Sequence, residues 1–107
     1  MIVVTFRNRL APGIDEQAYM QRSAKLYQIV SGLPGFLSFH AYTAEDGERL
    51  ALVEFEDEES LAVWRKQSDH VAAQQEGRRS YYSDYTLQVC QVLRDSRFVR
   101  SQSAASD

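Results

Sequence analysis

Hydrophobic and polar side chains alternate over the first residues of the chain, which is the pattern of a β-strand. The apolar residues Ile2, Val4, Phe6 and Leu10 fall on one face, and Thr5, Arg7 and Arg9 fall on the other. Asn8 lies on the apolar face, where the alternation favours a hydrophobic residue. We therefore predict a first strand over residues 2–10 that carries one amide on its apolar face.

The pattern then changes to the three- and four-residue spacing of an amphipathic helix. A Pro-Gly pair at residues 12–13 interrupts the strand, and Asp15 and Glu16 place negative charge in the first helical turn, where the helix dipole favours it. An apolar stripe is formed by Tyr19, Leu26, Val30 and Leu33. These signals predict a helix that ends near Val30.

Two further strand-like segments are joined by a turn. Residues 36–43 read FLSFHAYT and are apolar or aromatic on both faces, so we expect this strand to be covered on both sides. One face would hold Phe36, His40 and Tyr42, and the other would hold Leu37, Phe39 and Ala41. The Asp-Gly pair at residues 46–47 predicts a hairpin to a third strand over residues 49–56.

The second half of the chain predicts helix followed by strand. The segment 57–67 has an acidic beginning and an apolar centre, and Ser68 and Asp69 either break this helix or cap another one that runs to Tyr81. Residues 85–93 alternate again and predict the last strand. Residues 1–95 are assigned to one domain and residues 96–107 to a polar C-terminal tail, whose last seven residues, 101–107, are expected to be disordered.

The predicted order of strand, helix, strand, strand, helix, strand is the βαββαβ arrangement of a ferredoxin-like α+β fold with a four-stranded antiparallel sheet. In this arrangement both helices lie on one face of the sheet. Because residues 36–42 are apolar on both faces, the opposite face is expected to be covered as well. A homodimer with twofold symmetry would supply that cover.

Charge and composition narrow the classes of partner. The formal net charge of -3 disfavours nucleic-acid binding, and the short basic run at residues 78–79 is typical of a helix end. A single cysteine, Cys90, excludes an intrachain disulfide. No apolar segment has the length of a membrane span, and the first residues do not have the pattern of a secretion signal. A cytoplasmic protein is therefore expected.

Three segments carry a family resemblance: LPGFLSFHAY, ERLALVEFEDEESLAVWRKQSDHVAAQ and YTLQVCQVLRD. In this order they resemble the antibiotic biosynthesis monooxygenase (ABM) domain family over residues 1–95. The resemblance implies a dimeric α/β barrel built from two ferredoxin-like chains. It also implies a class of activity, because characterised members include cofactor-independent oxygenases of polycyclic aromatic substrates and haem-degrading monooxygenases.

Asn8, Trp64 and His70 are the candidate catalytic residues. Asn8 either satisfies a local backbone group or, as its likeness to the first strand of haem-degrading members implies, orients substrate or oxygen in a pocket. Trp64 is either a core side chain or, like its family counterpart, part of the pocket wall. His70 is either a structural residue near a helix break or a proton acceptor.

Other side chains argue against a metal or haem site. His40 is expected to be structural, and neither histidine has cysteines or carboxylates at the spacing of metal ligands. In haem-degrading members a histidine ten residues after the tryptophan binds iron, and this chain has Gln74 at that position. An amide is a poor iron ligand, so no bound cofactor is expected. The tyrosines at positions 81, 82 and 85 either form an aromatic wall with hydroxyl donors or, as the preferred interpretation, serve in core or interface packing.

These observations leave two main hypotheses and a weaker third. The first is a small monooxygenase that oxygenates an aromatic or quinol-like substrate without bound flavin or metal. The second is a non-catalytic dimer that binds a small hydrophobic ligand in the same pocket. The third is a haem-binding or haem-degrading protein in which His70 replaces the missing ligand.

Overall fold

The computed structural model describes residues 1–100. In chain order its elements are β1 (Ile2–Leu10), α1 (Glu16–Ser31), β2 (Phe36–Thr43), β3 (Arg49–Phe55), α2 (Glu58–Lys66), α3 (Ser68–Glu76) and β4 (Tyr82–Gln91). A π-helical turn at Gly77–Tyr81 joins α3 to β4. The predicted βαββαβ order is confirmed, with the second helical segment divided in two. The disorder expected for residues 101–107 concerns a segment that lies outside the described residues.

The four strands form one antiparallel sheet in the order β2-β3-β1-β4, which is the ferredoxin-like order. Strand β1 lies in the centre, where Val4 pairs with Val53 of β3 and with Val89 of β4. Side chains alternate across a strand, so the even-numbered residues of β1 share one side of the sheet with Val53. The helices pack on this side, called here the helix-facing side, and the other is called the helix-free side.

A small core lies between the helices and the sheet. Its buried hydrophobic residues are Ile2, Val4, Val30, Val53, Phe55 and Leu61. Phe55 is fully buried, and the partly buried rings of Phe39 and Trp64 pack against the cluster. Each of α1 and α2 contributes one buried residue, Val30 and Leu61 respectively. The core thus holds both helices on the helix-facing side.

Strand β2 departs from the expected alternation because it contains a bulge. Phe36 pairs with Phe55, but Ser38 pairs with the adjacent Glu54, so the register shifts between these two residues of β2. As a result Phe36 shares the helix-facing side with Phe39. The expectation that Phe36 shares a face with His40 was wrong.

Side-chain caps fix where the helices begin. The carboxylate of Asp15 accepts a hydrogen bond from the backbone N–H of Ala18 (3.0 Å), and Asp57 does the same for Ser60 (2.9 Å). Helix α3 is capped by the side chain of Gln67, not by Ser68 or Asp69 as the sequence suggested. Within residues 1–100, no helix combines the length and the apolar character that crossing a bilayer requires.

Candidate active site

A cavity of about 290 Å³ lies between the helix-facing side of the sheet and helices α1 and α3. Its volume falls near the lower end of the range of small-molecule sites. Most of its wall is apolar or aromatic, and it includes Phe6, Leu26, Phe39, Ala51 and Leu87. The cavity is therefore better suited to a small hydrophobic molecule than to a polar metabolite.

Two stacked rings form one part of the wall. The indole of Trp64, near the end of α2, lies 4.2 Å from the imidazole of His70 between ring centroids, with an interplanar angle of 30°. Gln67 separates α2 from α3 and accepts a hydrogen bond from the backbone N–H of His70 (2.9 Å). This sharp break between the helices brings the two rings together. A tilted stack of this kind also offers a flat wall to an aromatic ligand.

The imidazole of His70 is uncharged at neutral pH. Burial lowers its pKa below the ordinary value of 6.5, and backbone groups of Arg65 and Trp64 act in the opposite direction without cancelling that effect. Its Nδ1 is buried and has no hydrogen-bond partner among the described residues. A neutral histidine with an unpartnered ring nitrogen can accept a proton or a hydrogen bond.

Asn8 is the buried polar residue of the sheet, with only 4% of its surface exposed. Its Nδ2 donates a long hydrogen bond of 3.4 Å to the backbone carbonyl of Phe6, and its Oδ1 has no partner among the described residues. The local hydrogen-bonding role that the sequence suggested for Asn8 therefore uses only one of the two polar atoms of its amide. Asn8 lines the cavity, and its buried amide retains an unpartnered acceptor and a second N–H.

A row of polar side chains crosses the sheet at the level of Asn8. Arg49 pairs with Asn8 from β3, and Tyr85 pairs with it from β4. The guanidinium of Arg49 lies over the ring of Tyr19, with 5.4 Å from Cζ to the ring centroid. The Tyr19 hydroxyl is 3.4 Å from the Tyr82 hydroxyl. All five side chains belong to the cavity wall.

Comparison with known proteins identifies the family. The family model described as antibiotic biosynthesis monooxygenase matches residues 1–76. This match extends from β1 through α3, so it contains Asn8, Trp64 and His70. The chain belongs to the antibiotic biosynthesis monooxygenase family.

Individual relatives have low sequence identity to this chain. The chain is 24% identical over 84 residues to the uncharacterized protein YqjZ of Bacillus subtilis (strain 168), covering 78% of this chain and 74% of that protein. It is 31% identical over 99 residues to the jasmonate monooxygenase ABM of Pyricularia oryzae, covering 91% of this chain but only 46% of that protein. The structure of Rv0793 from Mycobacterium tuberculosis has a TM-score of 0.76 at 14% identity, covering 90% of this chain and 98% of that one. That likeness shows the fold.

The ABM-family cavity contains all three residues singled out from the sequence. Asn8, Trp64 and His70 come from three different elements and meet in its wall. Gln74, at the position where haem-degrading members have their iron ligand, lies one turn after His70 and also lines the cavity. His40 lies outside the cavity, on the helix-free side. In residues 1–100, no group of three or more His, Cys, Asp or Glu side chains is arranged to hold a metal ion.

Part of this candidate site was not predicted from the sequence. Arg49 follows directly after a hairpin turn, where a charged residue is typical of solvent-exposed sequence. Alternation along β3 was the available signal, because Arg49 has the parity of the core residues Val53 and Phe55. Tyr82, expected to serve in packing, also lines the cavity, and so does Tyr19 of the α1 stripe.

Proposed function

We propose that this protein is a monooxygenase that oxygenates an aromatic or quinol-like substrate without bound flavin or metal. The observation that carries the proposal is the meeting of Asn8, Trp64 and His70 in one mainly apolar cavity. Family membership and the monooxygenase activity named for the Pyricularia oryzae relative support the same class of reaction.

In this reaction the substrate supplies the electrons. An anthrone-type ring contains a CH₂ group beside aromatic rings and opposite a carbonyl, and loss of one proton from it gives an electron-rich carbanion. This carbanion reduces O₂ and combines with it to form a peroxide. Cleavage of the O–O bond then leaves a second carbonyl and releases water. The CH₂ carbon loses four electrons, O₂ gains four, one oxygen atom enters the product and the other leaves as water, so no external reductant is required.

His70 is the proposed proton acceptor. Because burial lowers its pKa, the imidazole is neutral at pH 7 and free to take the proton from the substrate. Trp64 would hold the flat ring of the substrate beside this base. The imidazolium returns this proton to the peroxide and, neutral again, removes the remaining C–H proton of the former CH₂ group as the O–O bond breaks. The departing hydroxide takes that proton and leaves as water, so one histidine can serve each of these proton transfers.

Asn8 would position the oxygen atoms of the substrate. Its Nδ2 can donate to a carbonyl oxygen that gains negative charge as the proton leaves, and its unpartnered Oδ1 can accept from a hydroxyl group. Both interactions are strengthened by the apolar wall around them, since a low local dielectric increases electrostatic energies. The apolar wall also excludes water that would otherwise solvate the anion.

A homodimer of the barrel type is part of the proposal. The helix-free side of the sheet carries apolar and aromatic side chains, among them Leu52 of β3 and Tyr42 of β2. Tyr42 is 53% exposed in a single chain. Beyond β4, Leu93 and Phe98 are 94% and 82% exposed. A second copy packed against this side would bury Leu52 and Tyr42, as the twofold arrangement of most soluble oligomers allows.

Oxygen consumption tests the proposed activity. Wild type is compared with Asn8→Ala, Trp64→Phe and His70→Gln over a panel of anthrones and hydroquinones, with product identified by mass after reaction in ¹⁸O₂. We expect one ¹⁸O atom in the product and a loss of rate of about a hundredfold or more in His70→Gln, the size typical of a general base. His40→Gln, which changes a histidine outside the cavity, should retain the wild-type rate.

Two results would contradict the proposal. Equal rates in all the cavity variants would remove these residues from the mechanism. Saturable binding of the panel without oxygen uptake would instead identify the protein as a binder of hydrophobic ligands. A sharp Soret shift after addition of haem, abolished in His70→Gln, would revive the haem hypothesis.

A further inference from the structure

Arg49 introduces a positive charge into a cavity that contains no negative one. Among the side chains that form the wall, none belongs to Asp or Glu, and Arg49 is the only Lys or Arg. Arg49 is the first residue of β3 and pairs with Asn8 of β1. Its side chain is therefore directed to the helix-facing side of the sheet. His70 adds no charge at neutral pH. The cavity therefore has a net positive charge.

Four of the twelve basic residues of the chain form salt bridges, and Arg49 is not among them. Carboxylates lie within 4 Å of Arg7, Arg9, Lys25 and Arg79. Arg49 forms no such salt bridge within residues 1–100, and its guanidinium is stabilised instead by a cation–π contact with the ring of Tyr19. A cation–π contact of this kind leaves the N–H groups at the edge of the guanidinium available. A partly buried guanidinium is stabilised when an anion accepts those hydrogen bonds.

Hydroxyl donors stand beside this guanidinium. Tyr19 and Tyr82 have hydroxyls 3.4 Å apart, close enough to bind the same ligand oxygen. Burial, followed by the neighbouring Tyr19 hydroxyl, raises the pKa of Tyr82, so this group keeps its proton and remains a donor. Asn8 adds an amide N–H in the same row. An arginine surrounded by neutral donors is a typical arrangement for binding an oxyanion.

We propose that Arg49, together with the hydroxyls of Tyr19 and Tyr82, binds an oxyanion of the substrate, which is therefore an aromatic organic anion. The oxyanion is either a carboxylate or the ionised oxygen of a phenol or enol. This inference rests on the proposed function for its choice of site and adds the charge of the ligand to it. Binding alone tests it, without any turnover.

The dimensions of the cavity agree with such a ligand. Along β1 the wall runs from Val4, beside the cluster on which Trp64 packs, to Asn8 in the polar row. Four residues of extended strand cover about 13 Å. A ligand with two or three fused rings can therefore place its oxyanion at Arg49 while its far ring contacts Trp64.

Two matched pairs of ligands test the inference. The first pair is 2-naphthoate and the neutral 2-naphthamide, which differ in charge but little in shape. The second is 2,4-dinitro-1-naphthol, which is ionised at pH 7, and its neutral methyl ether. The electron-poor rings of the second pair resist oxygenation, so binding is measured without reaction. Calorimetry gives the affinity, and quenching of Trp64, the only tryptophan, reports occupancy of the cavity.

We expect an anion to bind at least about tenfold more tightly than its neutral partner, the size of one charge-assisted hydrogen bond. Preference within the first pair identifies a carboxylate, and preference within the second identifies an ionised phenol or enol. Arg49→Gln should abolish the preference, Arg49→Lys should retain part of it, and Arg78→Gln, which removes a surface charge, should leave it unchanged. Tyr82→Phe should weaken binding of the anion more than binding of its neutral partner.

Contrary results are distinct for the two proposals. Equal affinities within both pairs, or a preference that survives in folded Arg49→Gln, would overturn the inference about the oxyanion. Circular dichroism checks that this variant is folded, and Arg49→Lys provides the answer if it is not. An Arg49-dependent preference without oxygen uptake from any substrate would uphold the inference and contradict the proposed oxygenase.

Discussion

At the scale of single residues, the cavity keeps polar atoms where packing alone favours apolar ones. The Oδ1 of Asn8 and the Nδ1 of His70 are both buried without a partner among the described residues. Each such atom costs about 1–3 kcal/mol of stability. A ligand that hydrogen-bonds to them would recover part of this energy on binding. Asn8 and His70 both line the cavity, so rotation of their side chains would expose these atoms to a substrate.

The titration of His70 gives a prediction that does not depend on catalysis. Its folded-state pKa lies below 6.5, the ordinary value that it regains on unfolding. Between these two values the unfolded chain binds more protons, so the free energy of unfolding should be complete above about pH 6.5 and fall as the pH is lowered through 6. Urea unfolding of wild type and His70→Gln from pH 8 to 5 measures this difference in slope.

Val63→Ala is the control for this measurement. Val63 is 52% exposed on α2, and its replacement changes no ionisable group, so this variant should keep the wild-type dependence on pH. An identical slope in wild type and His70→Gln would mean that His70 titrates normally. In that case the neutral imidazole required of a proton acceptor at mildly acidic pH would lose its support.

At the scale of elements, local signals were sufficient for most of the fold. The Asp-Gly turn and the acidic residues at the helix starts act within a few residues, so a single sequence reveals them, and β1, α1 and the hairpin were predicted correctly, although Asp15 caps α1 instead of lying in its first turn. The bulge in β2 was not, because it depends on pairing between Phe36 and Phe55 across the sheet. The break at Gln67 was placed only approximately, since glutamine is an uncommon helix cap.

The same distinction applies to the site. Asn8 was found because it interrupts an alternating pattern, and Trp64 because the family resemblance pointed to it. Arg49 acquires its meaning only when the sheet pairs it with Asn8 and α1 brings Tyr19 over it. A hairpin arginine with a carboxylate nearby would have no such role. Sequence shows the residue type but not the absence of a counter-ion.

Gly35, just before β2, packs closely against Ser60 of α2, so its replacement should destabilise the fold. Its φ of +82° is in the left-handed region, and an added Cβ would lie 2.6 Å from the Cβ of Ser60, which rotation of the Ser60 hydroxyl cannot relieve. Backbone strain and overpacking together predict that Gly35→Ala lowers the free energy of unfolding by about 2–4 kcal/mol. Urea denaturation monitored by circular dichroism measures the loss.

Gly47 separates the two causes. Its φ is +92°, but an added Cβ would meet nothing within 4 Å. Gly47→Ala should therefore cost only the backbone strain, about 1–2 kcal/mol. If the two variants are equally destabilised, close packing between Gly35 and Ser60 makes no contribution and the contact between β2 and α2 is looser than described.

At the scale of the whole molecule, one chain leaves much of its apolar surface uncovered. Only six hydrophobic side chains are buried within residues 1–100. On the helix-free side Tyr42 is 53% exposed, and beyond β4 Leu93 is 94% exposed. A small core and exposed apolar side chains are typical of a subunit that is completed by another copy.

A substitution on the helix-free side tests this directly. Leu52 lies near the middle of β3, between Thr5 and His40 of the neighbouring strands. If a second copy covers this side, Leu52→Lys buries an unpaired charge at the interface and should convert a dimer into monomers. Sedimentation at micromolar concentration should give twice the 12.3 kDa chain mass for wild type and about that mass for the variant. Val63→Lys, at a 52% exposed position on α2, should remain dimeric. A wild-type monomer would show that this side is left open to solvent, and the barrel arrangement would then be wrong for this chain.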